Sequence, residues 1–265
     1  MSQRISIIDV GIDTTSYEDT CDRIANIAQQ ANIVQQELAC YVVAANVHVI
    51  MTAYWNQAYR QVLANAEIVT PDGMPLVWGL RSLGIKNQQR VYGPDLMLAL
   101  CDRAVKEHLS IYLFGATVNT LDKLEQNLKA KFSKLAIAGK HAPPHMEICS
   151  PKFDSQLTAD VQLISKSGAK LVFVALGCPK QEFWMSKAQT QLPAVMIGVG
   201  AAFDFHSGQI QQAPRWMMEN GLEWLYRFGK EPKRLWQRYL INNPCFVILF
   251  AIQHLRRVLN YKPKN

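Results

Sequence analysis

The sequence lacks most of the signatures by which a chain announces its chemistry. It has no G-x-G-x-x-G and no G-K-[ST], so the glycine patterns that wrap a dinucleotide or a triphosphate are missing. There is no G-x-S-x-G elbow for a serine nucleophile, and no cysteine stands beside a histidine as an activated thiol. No D-x-D pair is present to carry a divalent ion on a sugar nucleotide, and the six histidines (His48, His108, His141, His145, His206, His254) form no ligand-spaced set. The expectation is chemistry without a metal or cofactor. His141 and His145 flank prolines and read as a solvated pair in a loop. Six cysteines (Cys21, Cys40, Cys101, Cys149, Cys178, Cys245) form no C-x-x-C pair, and M-S-Q-R-I-S-I-I-D reads as a strand rather than a secretory signal. A reduced, cytoplasmic protein is expected.

Acidic residues are scarce in one region only. From Arg215 to Asn265 there are ten Lys/Arg against three acids, which accounts for the whole net charge of +7, and residues 1 to 214 balance at eighteen of each sign. Trp216, Trp224 and Trp236 lie in this same basic stretch. Basic residues interleaved with tryptophan suit an anionic, partly apolar surface such as a membrane face, with a nucleic-acid patch as the competing footprint. The tail's uncharged run, Cys245 to Ile252, is eight residues long, whereas a bilayer span takes about twenty. It is too short to cross. Ile248, Ile252, Leu255 and Leu259 fall on one helical stripe with Arg256 and Arg257 off it. That stripe serves an interfacial helix, a helix packed on the domain, or a contact with a second copy of the chain.

What is present in the remainder is a regular alternation. Short β-branched or apolar runs at Ile5 to Val10, Cys40 to Ala45, Ile68-Val69, Leu109 to Ala116, Leu135 to Ala138, Lys170 to Gly177 and Ala194 to Gly200 read as strands. Between them lie helical patterns, among them one helix carrying Ile50, Tyr54, Ala58 and Val62, one from Ser155 to Ser167 and one from Pro179 to Gln191. Strands apolar throughout and alternating with helices imply an α/β fold, a Rossmann-like parallel sheet covered on both faces. At 265 residues one such core is long enough to be stable without staples. We expect a core over 1–212 and a basic, helical C-terminal appendage over 213–265.

Sites in parallel sheets gather at the carboxyl ends of strands, and that rule sorts the polar residues. I-V-T-P-D-G-M-P (Ile68 to Pro75) holds Asp72 on a turn stiffened by Pro71, Gly73 and Pro75; such an acid is a general base, a ligand anchor or a helix N-cap. Asn46 ends the strand before it. F-G-A-T-x-N makes Gly115 part of a phosphate-cradling loop or of an ordinary strand-to-helix turn. G-C-P-K-Q-E-x-W projects Gln181 from a helix start, where it can bind a sugar or pyrophosphate group, and leaves Glu182 to favour the helix dipole. In G-V-G-A-A-F-D-F-H-S-G the glycines permit close approach to a ligand, and Asp204 either holds a base or ribose edge or caps a turn.

Taken in order and spacing, the Asn46 strand, T-P-D-G-M-P, R-V-Y-G-P-D, F-G-A, G-C-P-K-Q-E-x-W, G-V-G-A-A-F-D-F-x-x-G, A-P-R-W and G-L-E-W-L-Y-R-F-x-x-E-P-K-R resemble the WecG/TagA/CpsF family of bacterial glycosyltransferases. The resemblance implies inverting, metal-independent transfer of an N-acetylmannosamine-type sugar from a UDP donor to a polyprenyl-diphosphate-linked amino sugar, on the inner face of the cell membrane. It makes Asp72 the base, Asn46 a neighbouring pocket residue, Arg90 an arginine meeting the substrate phosphates, Gln181 a donor-site residue and Asp204 a residue at the nucleotide end. Arg227 and Arg234 match basic residues of an appendage that closes over the site. Relatives often carry threonine two residues before the asparagine; here the position is Ala44. The competing classes are a non-catalytic nucleotide-binding adaptor using the same rim, and a nucleic-acid binder using the basic tail.

Overall fold

The computed structural model describes residues 3–30, 39–144, 147–148 and 150–259; His145, Cys149, Lys262 and Lys264 lie outside them. The elements run β1 (Arg4–Ile7), β2 (Val10–Asp13), α1 (Tyr17–Gln30), β3 (Cys40–Ala45), α2 (Val47–Trp55), α3 (Gln57–Ala64), β4 (Ile68–Pro71), α4 (Met74–Ser82) and α5 (Gly93–Lys106). They continue with β5 (Ile111–Gly115), α6 (Val118–Lys131), β6 (Ile137–His141), α7 (Pro151–Ser167), β7 (Leu171–Ala175), α8 (Lys180–Ala188), β8 (Val195–Gly198) and α9 (Ala202–His206).

Six strands form one parallel sheet in the order β4-β3-β8-β7-β5-β6. Alternate residues feed two separate cores: Tyr41, Val43, Phe114 and Met196 pack into one, and Val42, Leu113, Phe173 and Ile197 into the other. Apolar side chains on both faces of every central strand are what a doubly covered sheet requires, and this burial is the main source of its stability.

Three local readings are corrected. Ile5 to Val10 is not one strand: Ile8 and Asp9 adopt φ of 48° and 61°, a two-residue turn that folds β1 back on β2 as a separate hairpin. The helix expected through Ile50 to Val62 is two, because Asn56 ends α2 and its side chain accepts from Tyr59 N (3.0 Å) to start α3. His141 is no loop residue; it closes β6, its Nε2 is 3.4 Å from the buried Asp160 carboxylate, and its ring stacks on Phe114.

After residue 214 the chain turns helical, as α10 (Arg215–Glu219), α11 (Glu223–Lys230), α12 (Pro232–Trp236), a π-helical turn over Gln237–Ile241, and α13 (Asn242–Leu259). Pro244 explains the wide turn, since a proline inside a helix removes one hydrogen bond and displaces the carbonyl four residues back, here Leu240. Helix α13 uses two stripes. Phe246 and Phe250 pack inward, with Gly79 of α4 leaving room for the Phe250 ring, and Gln253 bonds the hairpin through Ile8 N (2.7 Å) and Ser6 O (2.8 Å). The other stripe, Val247, Ile248, Ile252, Leu255, Val258 and Leu259, is 42% to 82% exposed. Among the described residues no helix is long and apolar enough to cross a membrane.

Candidate active site

The carboxyl ends of β3, β4, β7 and β8, with the start of α6 and the tail helices, enclose a cavity of about 950 Å³. Asn46, Asp72, Arg90, Gln181, Asp204, Arg227 and Arg234 all line it.

Asp72 is held at the end of β4 by its own backbone: Asp72 N and Gly73 N both donate to Ala45 O, at 2.8 and 3.2 Å, which hangs the turn on β3. A Cβ at Gly73 would sit 3.2 Å from Asn46 Cβ, so the close approach of the two turns requires glycine there. Asp72 does not cap its own helix, whose N-cap is Gly73. Its Oδ1 instead accepts from Gly93 N (2.6 Å), a free N–H at the start of α5, and its Oδ2 accepts from Asn46 Nδ2 (3.3 Å). Asn46 is itself fixed, because its Oδ1 caps α2 by accepting from His48 N and Val49 N, which leaves the Nδ2 facing Asp72. Burial raises the Asp72 carboxyl above its ordinary range; Arg90, the Gly93 N–H and Asn46 pull it back, while Glu223 pushes it up. The outcome is a fixed, buried, more basic carboxylate.

Arg90 is held by three hydrogen bonds within the protein. Its Nε donates to Asp72 O, its Nη2 to Glu223 Oε2 (2.7 Å) and its Nη1 to Met218 O (3.5 Å), and the guanidinium lies 4.0 Å over the Tyr92 ring. Gln181 is buried, and its Nε2 donates to Glu182 Oε1 (2.7 Å) while its Oε1 has no hydrogen-bond partner. The glycines of G-V-G do not all serve a ligand: a Cβ on Gly198 would be 3.0 Å from Gln181 Nε2, so this glycine makes room for the amide. Glu182 is not a dipole residue on the surface. It is fully buried, and desolvation lifts its carboxyl to about 7 against hydrogen bonds from Gln181, its own backbone N–H and Tyr59.

Asp204 stands in the first turn of α9, half-buried, its carboxyl raised by burial and lowered by Arg234 and Arg227. Arg227 lies 5.6 Å over Phe205, and Arg234 pairs with Glu231 (2.6 Å) at the exposed rim. Gly115 is not among the cavity-lining residues. Its φ of 116° turns the strand against Ala175 O, and Ala116, Thr117 and Thr120 reach the cavity instead.

The sequence reading missed three lining residues. Glu223 receives Arg90 and also Tyr92 Oη (3.0 Å), contacts across more than 130 positions of chain. Arg238, on the π-helical turn, is desolvated enough to lower its pKa, its Nε has no hydrogen-bond partner, and its Nη2 reaches Asn46 Oδ1 at 3.5 Å. His48 bonds Asn242 (3.2 Å), and burial with the nearby Arg238 charge brings its pKa down to about 4, so it is neutral at pH 7. The wide turn was readable from Pro244; the partners of Glu223 were not. A buried guanidinium without a carboxylate calls for an anion. Among the described residues no three His, Cys, Asp or Glu side chains cluster as metal ligands.

A sequence model described as "Glycosyl transferase WecG/TagA/CpsF family" matches residues 5–260 of this chain. A protein of Bacillus spizizenii named N-acetylglucosaminyldiphosphoundecaprenol N-acetyl-beta-D-mannosaminyltransferase is 32% identical over 212 residues, 80% of this chain and 79% of its own. A Bacillus subtilis protein of the same name is 29% identical over 212 residues, with the same coverage.

Proposed function

The chain belongs to the WecG/TagA/CpsF family of glycosyltransferases, and from that premise we propose that it moves an N-acetylmannosamine-type sugar from a UDP donor to a polyprenyl-diphosphate-linked amino sugar. The reaction is a single inverting displacement. Asp72 accepts the proton of the acceptor hydroxyl as that oxygen attacks the anomeric carbon, and the bond to UDP breaks with its electrons on the diphosphate. The acceptor oxygen gains the sugar and Asp72 keeps the proton until product leaves. Asn46 orients the carboxylate, and Gln181 offers an acceptor oxygen to a sugar or base N–H or O–H.

Charge growing on UDP meets Arg238 and Arg227, the first desolvated and without a carboxylate partner, so no metal is invoked for this task. The observation that carries the proposal is Asp72 itself: a buried carboxylate, both oxygens oriented, at the rim of a cavity with room for a nucleotide sugar.

We place the protein on the inner membrane face, peripherally. Support comes from the exposed stripe of α13 and from exposed Trp55 and Trp78 on α2 and α4, the helices that abut it, together with Arg256 and Arg257. A second copy of the chain on the same stripe is the competing use. Relative to a basic nucleic-acid tail, the six exposed aliphatic side chains favour lipid.

Incubation with a panel of UDP-sugars and a polyprenyl-diphosphate N-acetylglucosamine acceptor, with products identified by mass, tests the reading. Addition of one N-acetylhexosamine with release of UDP is expected from UDP-N-acetylmannosamine. No added sugar from any donor contradicts it.

A further inference from the structure

Glu223 lies on the tail yet holds two residues of the core loop Arg90 to Gly93. Its Oε2 accepts from Arg90 Nη2 at 2.7 Å and its Oε1 from Tyr92 Oη at 3.0 Å, with the Arg90 and Glu223 side chains only 16% and 15% exposed. A part-buried carboxylate with one oxygen on the Arg90 guanidinium and the other on the Tyr92 hydroxyl fixes the geometry of both partners. The same short loop fixes Asp72 from two sides, because Arg90 Nε donates to Asp72 O and Gly93 N donates to Asp72 Oδ1. Tyr92 N is in turn anchored by Tyr17 Oη at 2.9 Å. Three of the five Arg90 N–H donors are directed at Asp72 O, Glu223 and Met218 O, so the guanidinium is oriented by the protein itself.

We propose that Glu223 is a positioning residue: by seating the tail helix α11 on Arg90 and Tyr92 it holds the Arg90 to Gly93 loop, and through that loop the Asp72 carboxylate, in working geometry. The proposal rests on the reading of Asp72 as the base. It makes closure of the appendage and readiness of the base one event. Arg227, one turn along α11, is brought to the cavity by the same contact. The arrangement also admits a rival, in which the Glu223 carboxylate merely occupies a phosphate site that substrate later takes.

The test is a double-mutant cycle on the full chain with E223Q, R90Q and the pair together, plus Y92F as a milder break that removes only the second contact. Each measurement covers kcat, UDP affinity and amide exchange of the segment 88–96 without substrate. Each single glutamine variant should lower kcat at least tenfold, the pair should fall no further than about twofold below the worse single, and Y92F should lie between them and wild type. UDP affinity should stay within about threefold for E223Q and R90Q alike, and the Gly93 amide, bonded to Asp72 Oδ1, should exchange faster in both. Multiplicative losses in the pair, loss of UDP binding in R90Q alone, tighter UDP binding in E223Q, or unchanged exchange at Gly93 would each overturn it. The exchange arm uses no substrate, so it decides the coupling even if the wild-type protein transfers no sugar from UDP donors.

Discussion

At the residue scale the site depends on side chains held by backbone groups and on glycines that clear space for them. Gly198→Ala would drive a methyl to within 3.0 Å of Gln181 Nε2 and 2.9 Å of Met185 Cε. We expect a stability loss of about 1–3 kcal/mol and a raised KM for the donor with a smaller change in kcat, read by thermal unfolding and steady-state kinetics. Glu182 gives a pH test. Its carboxyl titrates near 7 in the folded chain against an ordinary value of 4.5, so the folded state binds the extra proton between those limits and stability falls as pH rises through them. Glu182→Gln removes that dependence. Relative to wild type the variant should gain up to ~3 kcal/mol between pH 4.5 and 8, seen as a melting-temperature difference that grows in its favour with pH; a difference independent of pH contradicts the burial argument. Asp72 was legible as an acid on a stiff turn, and the sheet rule placed it beside Asn46, Gln181 and Asp204. What it bonds to was not legible. The Gly93 N–H that bonds it, and the charges of Glu223 and Arg238 nearby, are brought in by chain crossings that leave no local pattern.

At the element scale the sequence periodicities named most strands and missed what turns do to them. The hairpin escaped because Ile8 carries no glycine signal for its positive φ, and the break at Asn56 because the apolar spacing runs on across the cap. Helix α13 shows why its stripe was ambiguous: the residues picked out by spacing, Ile248, Ile252, Leu255 and Leu259, are the exposed ones, and a second stripe from Phe246 to Gln253 does the packing. The two faces predict opposite behaviour. A triple change of Ile248, Ile252 and Leu255 to Asp should leave the melting temperature within a few degrees while abolishing co-sedimentation with anionic vesicles. Phe246→Ala should instead cost about 3–4 kcal/mol of stability. If the triple variant still sediments with vesicles, the exposed stripe is not the lipid contact. Point changes are the sharper tool, since truncation before Pro244 would also remove the Gln253 bonds to the hairpin.

At the scale of the whole molecule, a neutral parallel sheet presents its polar rim to a basic tail, and the cavity lies between them. In the proposed reaction the sheet contributes Asp72 as the base and Asn46 and Gln181 beside it; the tail contributes Glu223, Arg227, Arg234 and Arg238 to the cavity, and carries the exposed apolar stripe. The proposed acceptor joins an anionic diphosphate to a lipid chain, and the tail's arginines and exposed apolar stripe are the surfaces that reading assigns to them. The central claim is that Asp72 takes the proton. The most direct measurement compares Asp72→Asn with wild type for transfer from UDP-N-acetylmannosamine to the polyprenyl-diphosphate acceptor, with UDP binding determined in parallel. The account predicts transfer reduced by 10³-fold or more, on the order expected for loss of a general base together with its charge, and UDP affinity within a few-fold of wild type. Turnover near the wild-type rate would contradict it.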